Sequence, residues 1–215
     1  MFNNHVNPVN SDSDVFYIEK TMKSALIVLM AFAICAQAQI LTDSRDGKKY
    51  KTVKIGEQTW MAENLDYHGE DGLIGFCHGR KTENCKKYGR LYDWVTAIKV
   101  CPRGWHLPSD EEWQTLVDFA GGDAIAGTKL KATSGWNTGR DYIAGTDNYG
   151  FSALPGGFGF SDANFGNFGG SGLWWSRTEF SNNDAYYRYM YYYESEVSRK
   201  YYYKSRLFSV RCVQD

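Results

Sequence analysis

The stretch Cys101-Pro102-Arg103-Gly104-Trp105-His106-Leu107-Pro108-Ser109-Asp110-Glu111-Glu112-Trp113-Gln114-Thr115-Leu116 constrains this chain more than any other. It reads as a buried anchor running into a helix. Ser109 is a good N-cap, and Glu112 three residues on completes the pattern of a capping box. Asp110 and Glu111 place negative charge at the positive end of the helix dipole. Trp113, Leu116, Val117 and Ala120 then fall on one helical face, and Gly121-Gly122 ends the run. Trp94, Val95 and Ile98 repeat the pattern on a shorter helix that Asp93 can cap. Two short helices therefore flank Cys101 and Trp105.

The rest of the chain reads as strands and loops. Among its 215 residues are 16 Tyr, 12 Phe, 7 Trp and 22 Gly, against only 4 Pro. Tyr50, Val53 and Ile55 mark a strand after the Asp46-Gly47 turn, and Gln58 to Met61 returns after Gly56-Glu57. Residues 66–90 are polar and read as a surface loop that carries Cys77, Cys85, His68 and His78. Residues 121–172 are rich in glycine, but aromatic residues interrupt them throughout, so this long loop region is expected to be packed. Strands are expected at Leu173–Ser176, Ala185–Tyr193, Lys200–Tyr203 and Leu207–Val213, the last with Phe208, Val210 and Cys212 on one face. Nine of the 16 tyrosines lie between Tyr186 and Tyr203. A period of two places Tyr187, Tyr189, Tyr191 and Tyr193 on one strand face.

The N-terminal segment reads as a leader. Met22-Lys23 opens a positive region, Ser24 to Ala36 is apolar, and Ala36-Gln37-Ala38 is an A-x-A cleavage site. The apolar run is shorter than the ~20 residues of a membrane span. The expected organisation is a pre-sequence and signal peptide over residues 1–38, with Met22 a candidate true start, and one domain over 39–215. No stable transmembrane segment remains after cleavage. Removing 1–38 takes away Lys20, Lys23, Asp12, Asp14 and Glu19, leaving 22 basic and 22 acidic residues. That balance excludes binding driven by a basic surface, so no nucleic-acid partner is expected.

Four cysteines then remain, an even number that suggests two disulfides in an exported protein. They allow three connectivities, one of which joins Cys77 to Cys85 in a short loop and Cys101 to Cys212. Their spacings contain no C-x2-C, so zinc is not expected, and the glycines form no phosphate-binding motif. Neither a metal nor a cofactor is expected. His106 beside Asp110, Glu111 and Glu112 suggests acid–base chemistry at first sight. The carboxylates read instead as helix-cap charges and His106 as part of the anchor. His68 and His78 read as solvated.

The segments DGKKYKTVKIGEQTWMAENL, YGRLYDW, CPRGWHLPSDEEW, NYGFSALPGG, WWSRTE, AYYRYM and FSVRCV, in this order, resemble the Fibrobacter succinogenes major paralogous domain. The resemblance covers about residues 42–215. It implies an α+β domain of C-type-lectin-like fold, shared with the formylglycine-generating enzymes. Such a domain has two short helices, a small antiparallel sheet and a long Gly- and aromatic-rich loop region. It also implies export to the cell envelope or beyond in a Gram-negative bacterium. In lectin-like domains a helix cysteine followed by G-x-H-L pairs with one in the last strand. Cys101, Gly104, His106 and Leu107 match that start and Cys212 matches that end, which leaves Cys77 for Cys85. The lectin calcium motifs E-P-N, Q-P-D and W-N-D are missing, since Ser176-Arg177 follows Trp175. The paired active-site cysteines of the formylglycine-generating enzymes have no counterpart, because all four mature cysteines are committed to structure.

The function expected from these readings is a non-catalytic exported binding module, with a polysaccharide or a cell-surface protein as partner. Its ligand side is expected at Trp175, Arg177, Glu179 and Arg188, with Trp174 turned into the core. The plain alternative for that set is a salt-bridged strand end beneath the loops. A structural or adhesive surface protein built on the tyrosine-rich strands is the second functional reading, and an enzyme is the third.

Overall fold

The computed structural model describes residues 39–162 and 164–215; the expected leader lies outside them. Strands β1 (Gln39–Thr42), β2 (Lys49–Ile55) and β3 (Gln58–Met61) form two successive hairpins. Gly47 and Gly56 take the positive φ values, 74° and 60°, that these tight turns need. The sheet is completed by β12 (Val213–Gln214) and β5 (Trp105–His106), in the order β1-β2-β3-β12-β5.

A second sheet has the order β10-β9-β8-β11-β4. Its members are β4 (Leu91–Tyr92), β8 (Ser171–Glu179), β9 (Asp184–Tyr191), β10 (Ser198–Tyr203) and β11 (Phe208–Ser209). All its pairs are antiparallel except β11 with β8. A small ribbon joins β6 (Phe158–Gly159) to β7 (Phe165–Gly166). The segment expected as one final strand therefore divides between two sheets. Phe208, Val210 and Cys212 still enter one core cluster, as the alternation requires. Between the two strands, the backbone carbonyls of Val210 and Cys212 accept from Leu65 and Met61.

Among the described residues are four short α-helices: α1 (Thr82–Tyr88), α2 (Trp94–Ala97), α3 (Asp110–Phe119) and α4 (Asp123–Leu130). The sequence pattern anticipates α2 and α3 but not α1 or α4. Asp93 caps α2 by accepting from Thr96 N at 2.9 Å. At α3, Ser109 Oγ accepts from Glu112 N at 3.1 Å and Glu112 Oε2 accepts from Ser109 N at 2.7 Å. This reciprocal cap stabilises the helix by about 1 kcal/mol. Helix α4 escapes the pattern because Gly127 sits inside it. A Cβ there would lie 2.3 Å from the Glu196 carbonyl oxygen, so glycine is needed for the approach of residues 195–196.

Two buried clusters lie on the two faces of the second sheet. One joins Trp174 and Met190 to Trp60, Trp113, Leu116, Val117 and Phe151. The other joins Leu173, Trp175, Tyr187 and Tyr189 to Tyr92, Trp94, Phe208 and Cys212. Each fully buried large side chain contributes roughly 1.5–3 kcal/mol of transfer free energy. Two disulfides, Cys77–Cys85 and Cys101–Cys212, span 8 and 111 residues. The second is the bond the resemblance implies, and the first is the short loop that accompanies it among the three connectivities.

Two buried cations organise the loop region. Lys131 Nζ donates to the carbonyls of Ile143, Tyr191 and Glu194 at 2.9, 3.2 and 2.8 Å. Arg211 donates to Asn64 Oδ1 and to the carbonyls of Phe151 and Ser152. These internal donors satisfy loop carbonyls and the carbonyl that ends β9, which helps so glycine-rich a region to pack. No helix among the described residues is long and apolar enough to cross a membrane.

Candidate functional site

The four residues expected to face a ligand do not assemble into one surface. Trp174 is buried as expected, but Trp175 is buried as well, and both have 0% exposure. The reason is that β8 is a central strand with a core on each face. Both indoles are committed: Trp174 Nε1 donates to Asn64 Oδ1, and Trp175 Nε1 to the Tyr92 carbonyl. Arg188 is 1% exposed and pairs in register with Trp174, on the face opposite Trp175. Its Nη2 donates to Asp110 Oδ1 at 3.0 Å and Gln114 Oε1 at 3.1 Å. Asp110 also accepts from Arg199 Nε at 2.7 Å, so this cluster ties α3 to the β9–β10 pair. Arg177 is exposed, and Glu179 forms an ion pair with Lys204 at 3.0 Å. Arg188 and Glu179 are thus salt-bridged, as the plain alternative expects, while Trp175 is core and Arg177 stands alone at the surface.

Aromatic side chains gather instead on the Trp175 face of the same sheet. Tyr187, Tyr189, Tyr191 and Tyr193 form a ladder with ring centroids 5.8, 5.1 and 5.3 Å apart, as the period-two reading expects. Where the ladder meets β6 and the turn after β10, a cleft of about 200 Å³ opens. Leu173, Tyr187 and Phe208 line it, with Trp175 packed against both rings. Phe158, Phe160, Tyr191, Tyr202 and Arg206 complete it. Gly159 makes the wall possible. It exchanges two backbone hydrogen bonds with Leu207 at 2.9 and 3.0 Å, and a Cβ at Gly159 would meet the Leu207 side chain at 2.9 Å.

The Arg206 guanidinium stands 3.9 Å from the Phe160 ring centroid and 4.7 Å from that of Tyr202. Its Nη2 donates to Tyr202 Oη at 3.1 Å. The rings hold the guanidinium in place and leave its remaining N–H edges for other acceptors. Burial pushes the Tyr187 phenol up to about 12, and it pushes Tyr191 up as well. Both phenols stay neutral at ordinary pH and so keep an O–H to donate. The cleft thus combines flat apolar faces with hydroxyl and guanidinium donors. None of its eight lining residues is a carboxylate, histidine, serine or cysteine.

The other chemistry-bearing residues are occupied elsewhere. His106 bridges Asp215 Oδ1 at 2.6 Å and Glu112 Oε1 at 2.8 Å, which clamps the C-terminal residue to the capping box. His68 contacts the Gly69 carbonyl. His78 is not solvated as expected: it packs between Phe165 and Phe168, and burial lowers its pKa. Among the described residues no group of three or more His, Cys, Asp or Glu is placed to hold a metal ion.

The Fibrobacter succinogenes major domain model matches residues 53–214. The chain belongs to that family. No curated protein and no solved structure matches it significantly. Within this family member, the sequence pattern reaches the tyrosine ladder but not Phe158, Phe160, Tyr202 or Arg206 as one site. They come from two stretches, 158–160 and 202–206, that are far apart in sequence and meet through the β6–Leu207 contact. The one usable signal is the run of exposed tyrosines after Lys200.

Proposed function

We propose that this protein is an exported, non-catalytic glycan-binding module, and that its α+β domain is C-type-lectin-like. The observation that carries the reading is the aromatic cleft of Phe160, Tyr191, Tyr202 and Arg206. Aromatic faces stack on the apolar face of a pyranose ring and bury area at small entropic cost, while phenol and guanidinium donors meet its hydroxyls. A cleft of about 200 Å³ is smaller than the ~300–1,000 Å³ of enclosed small-molecule pockets. Its size favours one ring of a polymer lying across it over an engulfed cofactor. Glycoside hydrolysis needs two carboxylates, and this cleft is lined by none. Two disulfides support export, because such bonds persist in oxidising compartments. The lectin-like assignment is supported by the Cys101–Cys212 bond, which joins the helix region to the last strand.

The test is affinity electrophoresis of the full chain against soluble polysaccharides. Tyr202 is 39% exposed, so Tyr202→Ala is expected to leave the thermal midpoint nearly unchanged. It should weaken binding at least tenfold, the equivalent of about 1.4 kcal/mol for one stacked ring. Undiminished binding by the variant, or no binding by the parent, overturns the proposal.

The adhesive reading is favoured by one observation. Edge strand β10 exposes Tyr201, Tyr202 and Tyr203, with Phe180 stacked on Tyr201 at 3.6 Å. An exposed aromatic edge is a template for pairing between chains. Concentration-dependent association in sedimentation, abolished by Tyr201→Lys, distinguishes it from glycan binding.

A further inference from the structure

We infer that the glycan taken by this cleft is carboxylated: a sugar ring bearing a carboxylate, held by Arg206. The inference rests on the glycan-binding reading and adds the chemical class of the ligand.

Among the described residues, three cations on or beside this sheet carry a carboxylate of their own, whereas Arg177 and Lys200 do not. Arg188 and Arg199 share Asp110 at 3.0 and 2.7 Å, and Lys204 pairs with Glu179 at 3.0 Å. Each of these guanidinium or ammonium groups has its carboxylate in place. Arg206 makes no ion pair among the described residues, although it is only half-exposed and held between two rings. The Asp162 carboxylate feels its charge. That carboxylate is turned to its own loop, accepting from Asn164 N at 3.1 Å and Asn164 Nδ2 at 2.8 Å.

The two rings also hold the group in place. The guanidinium carbon lies 3.9 Å from the Phe160 centroid and 4.7 Å from that of Tyr202, and one N–H goes to Tyr202 Oη, so other N–H groups are left over. A guanidinium with N–H groups left over can meet a carboxylate through two parallel hydrogen bonds, which a neutral hydroxyl cannot accept in the same way. Lys200 stands on the same face of β10, with its ammonium 5.2 Å from the Tyr189 ring, and adds a second positive charge beside the ladder. Glu194 lies within reach of Lys200 and partly offsets it. A ring stacked on the aromatic wall with its carboxylate at Arg206 uses both features of the cleft at once.

The experiment measures binding of the full chain to polygalacturonate, to the same polymer methyl-esterified, to polysialic acid and to a neutral xylan. The expected result is at least tenfold tighter binding to polygalacturonate than to its methyl ester. Arg206→Gln and Arg206→Lys should both lose that preference, while Lys99→Gln, an exposed control, should keep it. A stronger response to polysialic acid than to polygalacturonate assigns the carboxylate to sialic acids instead of uronates. Equal binding to acid and ester overturns the inference while leaving the glycan reading intact. Loss of preference in Lys99→Gln as well overturns it in favour of diffuse charge attraction. Failure to bind any of the four polymers overturns both.

Discussion

Removing the Cys101–Cys212 bond by a Cys101→Ala/Cys212→Ala double substitution is expected to cost about twice what removing Cys77–Cys85 costs. A bond spanning 111 residues withholds about 16 cal/mol/K of loop entropy from the unfolded chain, or about 4.8 kcal/mol at 25 °C. The same relation for a span of 8 residues gives about 2.5 kcal/mol. The sequence distance matters because Cys212 lies next to β12, where the chain has just crossed from one sheet to the other. Equilibrium urea unfolding at 15 °C measures both variants against the parent. The accompanying thermal shifts should be about 10–20 °C and about 5–10 °C, given 2–4 °C per kcal/mol for a domain this size. Equal losses for the two bonds, or a larger loss for Cys77–Cys85, would refute the reasoning from loop length.

Burial lowers the Lys131 ammonium to about 8, with the Glu194 charge pulling the other way. Between pH 8 and about 10.5 the unfolded chain therefore holds a proton that the folded one has released, and stability from this group rises with pH by up to about 1.4 kcal/mol per unit. Burial of the Tyr187 phenol acts oppositely above pH 10, where the folded chain keeps the proton longer. Urea midpoints at pH 7, 8, 9 and 10 should show the rising limb in the parent and not in Lys131→Met; the same slope in both would contradict it. Gly127→Ala places a Cβ 2.3 Å from the Glu196 carbonyl. It is expected to lower stability by about 1–3 kcal/mol, where an unhindered helix position would gain about 1 kcal/mol; a raised melting temperature refutes the close-packing argument. Intact-mass spectrometry of the exported protein should find Gln39 at the N-terminus, and a species that retains residues 1–21 would refute the cleavage reading.

Local signals in the sequence were legible where one segment supplies all the parts. Helix α3 is such a case, since its cap, dipole charges and apolar face lie within twelve residues. The tyrosine ladder is another, because a strand's alternation alone decides which rings share a face. Trp175 was not legible. Alternation correctly separates it from Trp174, but only the sheet order reveals that both faces of β8 are covered. Helix α4 was hidden by Gly127, whose reason is the carbonyl of Glu196, far away in sequence. The cleft was least legible of all. Arg206 gains its position from Phe160 and Tyr202, and nothing in the sequence spacing brings Phe160 beside Leu207.

The proposed glycan site is the Phe160–Tyr202–Arg206 wall, and side-chain NMR shifts during titration with a saccharide that binds in electrophoresis test it. This placement predicts that the ring resonances of Phe160, Tyr191 and Tyr202 move together with the Arg206 guanidinium, while those of Trp113 and Trp174, in the core on the other face, stay fixed. Shifts gathered around Lys48, Lys49, Lys86 and Lys87, which line a separate hollow, with the cleft rings unmoved, would contradict it.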